Sequence, residues 1–96
     1  MYKRQLFSEV RYVERNQAFL FPNPANELVS IHVPGDMRGQ GRLRVIDAHG
    51  RMMMEQSIAD MGNGLMRVPV NELASGRYVV ELVNATRMER LMFVRQ

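Results

Sequence analysis

Ninety-six residues, 46% apolar and 24% charged, make one small domain with one core, and the apolar share argues against wholesale disorder. No apolar run approaches the roughly 20 residues that cross a bilayer as a helix, and the absence of cysteine excludes disulfides, thiolate zinc sites and a cysteine nucleophile. The net charge of +3 comes from twelve arginines and Lys3 against ten acidic residues, spread among apolar positions rather than gathered as a nucleic-acid footprint would be.

Residues 1–17 are charged and mixed and read as a linker or the end of whatever came before. Leu6, Val10 and Tyr12 share a parity that would suit one short strand over 5–13. No sustained apolar stretch follows Lys3 and Arg4, so this is no secretory signal. From Ala18 the texture changes. An apolar run, Ala18 to Phe21, is stopped by Pro22-Asn23-Pro24. Two prolines remove two N–H donors and fix two φ angles, which predicts a rigid kink or a sheet edge.

Glu27 to Val33 alternates, with Val29, Ile31 and Val33 on one face, and Pro34-Gly35 ends it. Arg42 to Asp47 alternates next, with Leu43 and Val45 inward. Asp47-Ala48-His49-Gly50 predicts a hairpin turn, and Arg51 to Ser57 forms its second arm. Met52 to Met54 cannot all face a core in a strand. After the turn Met61-Gly62-Asn63-Gly64, Leu65 to Val70 places Met66, Val68 and Val70 on one parity. Asn71 to Leu73 suits one helical turn. Ser75-Gly76 leads into Arg77 to Val83, where Tyr78, Val80 and Leu82 share a face, and Asn84-Ala85-Thr86 is a short loop before a last strand, Arg87 to Arg95.

Seven short strands with a turn signal in each gap, and no window with a 3.6-residue period, predict an all-β sandwich. A single open sheet would leave one apolar face wet.

Catalytic chemistry is poorly supplied. His32 lies on the polar parity of a strand and His49 in a turn, so neither reads as a base or a metal ligand. Asp47 reads as a turn-former bonding local backbone. Glu27, Glu55, Glu81 and Glu89 occupy solvent positions, and Gly62 and Gly64 lack the context of a phosphate loop. The expectation is a non-enzyme without metal or cofactor. The nine methionines read as core filler, with an adaptable binding surface as the alternative.

One stretch, Phe21-Pro22-Asn23-Pro24-Ala25 followed by an alternating strand, resembles the opening of the type A C-terminal sorting domain of the type IX (Por) secretion system of Bacteroidetes. Three later landmarks match in order: Arg44 to Arg51 with Asp47 and Gly50, Leu73 to Val80 with Gly76 and Tyr78, and the terminal Phe93-Val94-Arg95. Met92 stands where the family often has lysine. The likeness covers residues 20–96.

The resemblance implies a small seven-stranded antiparallel Ig-like β-sandwich over residues 18–96. It implies a delivery role: a cargo fused upstream, reading by the outer-membrane translocon in the periplasm, removal by a sortase-like protease, and a secreted or cell-surface product. The sorting residues it designates are Pro22, Asn23, Pro24, Asp47, Gly50, Gly76, Tyr78, Phe93, Val94 and Arg95. An exposed last strand carrying Arg87, Arg90 and Arg95 would suit recognition by strand addition; an ordinary sheet edge blunted by charge is the alternative. Deletion of the last five residues is expected to abolish export and leave most of the fold. The alternative is a fibronectin-like accessory module that binds carbohydrate or a protein partner.

Overall fold

Each alternating run from Ala18 onward becomes a strand in the computed structural model, which describes residues 17–59 and 63–96. In chain order these are β1 (Phe19–Phe21), β2 (Leu28–His32), β3 (Arg42–Asp47), β4 (Met52–Ser57), β5 (Leu65–Pro69), β6 (Gly76–Val83) and β7 (Met88–Arg95). The strand considered over 5–13, and the linker apart from Gln17, lie outside the described residues. Among the described residues no helix is long and apolar enough to cross a membrane. A single 3₁₀ turn, Gly35–Met37, drops the Met37 side chain into the core. The helical turn expected at Asn71 to Leu73 is a plain turn closed by Leu73 N–H to the Val70 carbonyl at 3.1 Å. One such bond fixes too many dihedrals to nucleate a helix.

The strands form two antiparallel sheets, β1-β2-β5 and β4-β3-β6-β7. This is the expected all-β sandwich. In an immunoglobulin constant-type sandwich the fourth strand joins the sheet of the first, second and fifth. Here the four-residue connection between β3 and β4 keeps the fourth strand beside the third. A short loop can only return the chain antiparallel to its neighbour.

The period of two sorts the side chains. Val29, Ile31, Met66 and Val68 face inward from one sheet; Leu43, Val45, Tyr78, Val80, Leu82 and Phe93 face them from the other, all buried. Burial of each such side chain contributes about 1.5–3 kcal/mol.

Two expectations, one of an outward face and one of core filling, are corrected. Glu81 is only 6% exposed. It lies in register between Arg44 and Arg90, and Arg90 holds its carboxylate at 2.7 Å. The methionines divide: Met37 and Met66 are buried and Met54 packs on the core, whereas Met52, Met53, Met88 and Met92 are exposed. Core filler therefore describes only part of the set. The β3–β4 register shifts between Val45 and Ile46, which leaves Met53 without a cross-strand partner.

Candidate functional site

The four sequence landmarks, dispersed over more than seventy residues, meet at one end of the four-stranded sheet. Asp47, Tyr78 and Phe93 stand side by side in one cross-strand row; Gly76 pairs with Arg95, and Arg95 in turn bridges to Ala25.

The first landmark moves the chain from one sheet to the other. β1 pairs with β2, but four residues after Phe21 the backbone lies against β7, in a parallel bridge between Ala25 and Arg95. Ala25 N–H donates to the Val94 carbonyl at 2.8 Å, and Gln96 N–H donates to the Ala25 carbonyl at 2.9 Å. Pro22 and Pro24 have no N–H to offer, and both X–Pro bonds are cis. The Asn23 side chain supplies the missing amide. Its Oδ1 accepts from Val94 N–H at 2.9 Å and its Nδ2 donates to the Met92 carbonyl at 3.4 Å. A carboxamide thus stands in for a peptide unit along the β7 edge.

The second landmark is a tight hairpin. Asp47 Oδ1 accepts from the backbone N–H of His49 and of Arg51, each at 2.9 Å, and Oδ2 accepts from Arg51 Nε at 2.9 Å. The two backbone amides and the guanidinium hold the Asp47 carboxyl below the usual carboxylate range, the Arg51 amide first among them. Gly50 closes the loop at a φ of 86°, a conformation costly for residues with a Cβ. The Asp47 carboxylate is committed to this turn, and among the described residues no three potential metal ligands cluster.

The third landmark is a corner. Leu73 is buried, Gly76 adopts a φ of 150°, and the Tyr78 hydroxyl donates back to the Ala74 carbonyl at 2.6 Å. This is the tyrosine-corner arrangement of immunoglobulin-like sandwiches, with the Tyr near the start of the sixth strand. The Tyr78 ring stacks on Phe93 with centroids 5.4 Å apart, which ties the corner to the fourth landmark. A shallow cleft of about 170 Å³ separates the second and third landmarks, with Asp47, His49, Arg51, Gly76, Arg77 and Tyr78 along its walls.

The fourth landmark ends in a clamp that sequence reasoning missed. Arg95 turns back across the sandwich: its Nε donates to the Val70 carbonyl and its Nη2 to the Asn71 carbonyl, both at 2.8 Å, while Nη1 donates to the Gln96 carbonyl. Guanidinium offers five donors in a fixed fork, which suits converging carbonyls. The arginines of the last strand are each engaged within the chain. Arg95 is bound within the chain, Arg90 holds Glu81, and Arg87 pairs with Asp36 at 3.1 Å and with Glu89. Nothing in a single strand's pattern points to most of these partners, because all except Glu89 and Gln96 come from other parts of the fold.

Among the described residues, seven strands in two sheets, a tyrosine corner and a terminal strand bonded to a Pro-Asn-Pro kink define a small immunoglobulin-like β-sandwich. The family model described as secretion system C-terminal sorting domain matches residues 19–94, and the chain belongs to that family. No curated protein matches the chain. The family is one of type IX secretion signals rather than of catalysts. Membership implies a cargo upstream, contact with the type IX machinery, and a secreted or cell-surface destination for that cargo.

Proposed function

We propose that the end of the sandwich where the four landmarks meet is the surface by which the outer-membrane translocon reads this domain. The reading would take place in the periplasm, and a sortase-like protease would then cut ahead of Ala18, within residues 1–17, leaving the cargo released or anchored at the surface. The observation that carries this is the joining of Asn23 and Ala25 to Val94 and Gln96. A receptor touching that place meets both ends of the signal together, and only when the domain is folded. The sorting residues then act in two ways. Pro22, Asn23, Pro24, Gly76, Tyr78, Phe93 and Arg95 shape the surface, and the turn at Asp47 and Gly50 together with the exposed side chain of Val94 forms its relief.

Strand addition at β7 has less room than the sequence suggested. Val94 directs its N–H and carbonyl away from β6, and alternation directs those of Arg90 and Met88 the same way. Asn23 and Ala25 cover the C-terminal part of that edge, so a recruited strand would lie along Met88 to Met92.

The test fuses residues 18–96 to a periplasmic reporter in a host with a type IX system. Export is expected, and so is its loss on Asn23→Ala combined with Val94→Asp in a variant shown by circular dichroism to be folded. A reporter retained in the periplasm, while a known sorting domain exports it, would overturn the proposal.

A further inference from the structure

The outer face of the four-stranded sheet is organised in rows, and register makes them explicit. One row runs Met52, Ile46, Val79, Met92 across β4, β3, β6 and β7. It is apolar from edge to edge, and its ends are open to solvent, Met52 at 55% exposure and Met92 at 60%. The next row on this face, two residues away on β3, β6 and β7 and three on β4 across the register shift, runs Glu55, Arg44, Glu81, Arg90. Its charges alternate in sign, and its members pair within the chain, Arg44 with Glu55 at 2.9 Å and Arg90 with Glu81 at 2.7 Å. An unbroken apolar row with exposed ends is not what a solvated face requires.

We propose that this face is a homodimer interface, packed against the same face of a second copy about a two-fold axis parallel to the strands. Rotation about that axis keeps each row at its own level and reverses its order. The charged row then lies against its own reverse: Glu55 meets Arg90 of the second copy, Arg44 meets Glu81, and the other two contacts follow by symmetry. A row of four alternating charges is complementary to itself in this one sense of reversal. The apolar row likewise sets Met52 against Met92 and Ile46 against Val79. A partner of any other kind would need a matching row of inverse charges beside an apolar one, and this surface itself has that pattern. An isologous contact of this sort closes on itself and stops at two copies.

Size sets the strength. Four strands about 4.8 Å apart and about seven residues long give a footprint of roughly 450 Å² per copy. Twice that, about 900 Å², lies below the roughly 1,200 Å² of stable specific interfaces and among weak transient ones, which implies a weak, reversible, micromolar association. Packed sheets cross at about 30°, so contact is closest over the central strands, β3 and β6. Methionine suits such an interface because its flexible thioether adapts to the crossing. β1 belongs to the other sheet.

The test is sedimentation velocity of the 96-residue chain from about 5 μM to about 500 μM, a range that brackets micromolar association. A reversible dimer is expected. Met52→Lys and Met92→Glu should each weaken it about tenfold or more, with circular dichroism unchanged because both positions are exposed. An equimolar mixture of the two variants should recover the dimer. The lysine of one copy then meets the glutamate of the other, and the second contact of the pair stays native. Met52→Glu mixed with Met92→Lys repeats the rescue with charges exchanged, should one of the first variants fold poorly. A chain monomeric throughout the range would overturn the proposal. So would a dimer indifferent to both substitutions, which would place contact on the three-stranded face or a sheet edge, and so would mixtures no tighter than the separate variants.

Discussion

The side chain of Asn23 accepts a hydrogen bond at 2.9 Å from the backbone amide of Val94, a residue 71 positions further along the chain. Its other amide atom donates to the Met92 carbonyl. One carboxamide thereby continues a β ladder that two prolines would otherwise interrupt. Asn23→Ala is expected to cost about 1–2 kcal/mol, the net worth of one or two hydrogen bonds. For a domain of this size each kcal/mol lowers Tm by about 4–8 °C. Asn23→Asp keeps the acceptor for Val94 but loses the donor to Met92, so it should fall between. Calorimetry gives the ranking, and hydrogen exchange at the Val94 amide should quicken in the alanine variant.

Tyr78→Phe removes the hydroxyl that donates to the Ala74 carbonyl at 2.6 Å and leaves the ring stacked on Phe93. A loss of about 1 kcal/mol is expected. Thermal denaturation should show it, with the far-ultraviolet circular dichroism spectrum little changed. An unaltered Tm would mean that the corner contributes no stability here.

Arg95 serves three carbonyl acceptors, Val70, Asn71 and Gln96. Arg95→Ala should cost roughly 1.5–3 kcal/mol, as expected for bonds from a charged donor. Arg95→Lys keeps the charge but has a single ammonium in place of a planar fork, so it should restore less than half of the loss in urea denaturation.

Removal of the last five residues should unfold the domain rather than spare it. The deletion takes away Phe93, which is 1% exposed. A buried Phe→Ala change alone costs about 3–5 kcal/mol. The deletion also strips Asn23 and Ala25 of their partners on Val94 and Gln96. Small domains have only about 5–15 kcal/mol to lose. A cooperative thermal transition retained by the truncated chain would contradict this. Export tests of the terminus are therefore better made with Val94→Asp, at a side chain 40% exposed.

Asp47 also predicts a pH dependence. Hydrogen bonds from the Arg51 and His49 amides and the Arg51 guanidinium lower its folded-state pKa. The resulting stability is present above the ordinary aspartate value of about 4 and is lost as pH falls through the lower, folded-state value. Asp47→Asn should therefore lower Tm at pH 7, and the gap from the parent should close in acid as Asp47 becomes protonated in the folded state. Glu55, lowered by Arg44 and Arg42, adds a similar slope that Glu55→Gln should flatten.

The alternation of Val29, Ile31 and Val33, or of Tyr78, Val80 and Leu82, was enough to read strands, inner faces and the sandwich from sequence, because a period of two is a property of neighbours along the chain. The turn at Asp47 was legible for the same reason, since its carboxylate bonds residues two and four positions on. The pairing of Asn23 with Val94, the inward turn of Arg95, the burial of Glu81 and the apolar row from Met52 to Met92 were not legible. Each depends on which strands lie adjacent and in what register, and that is decided only when distant segments close over a common core.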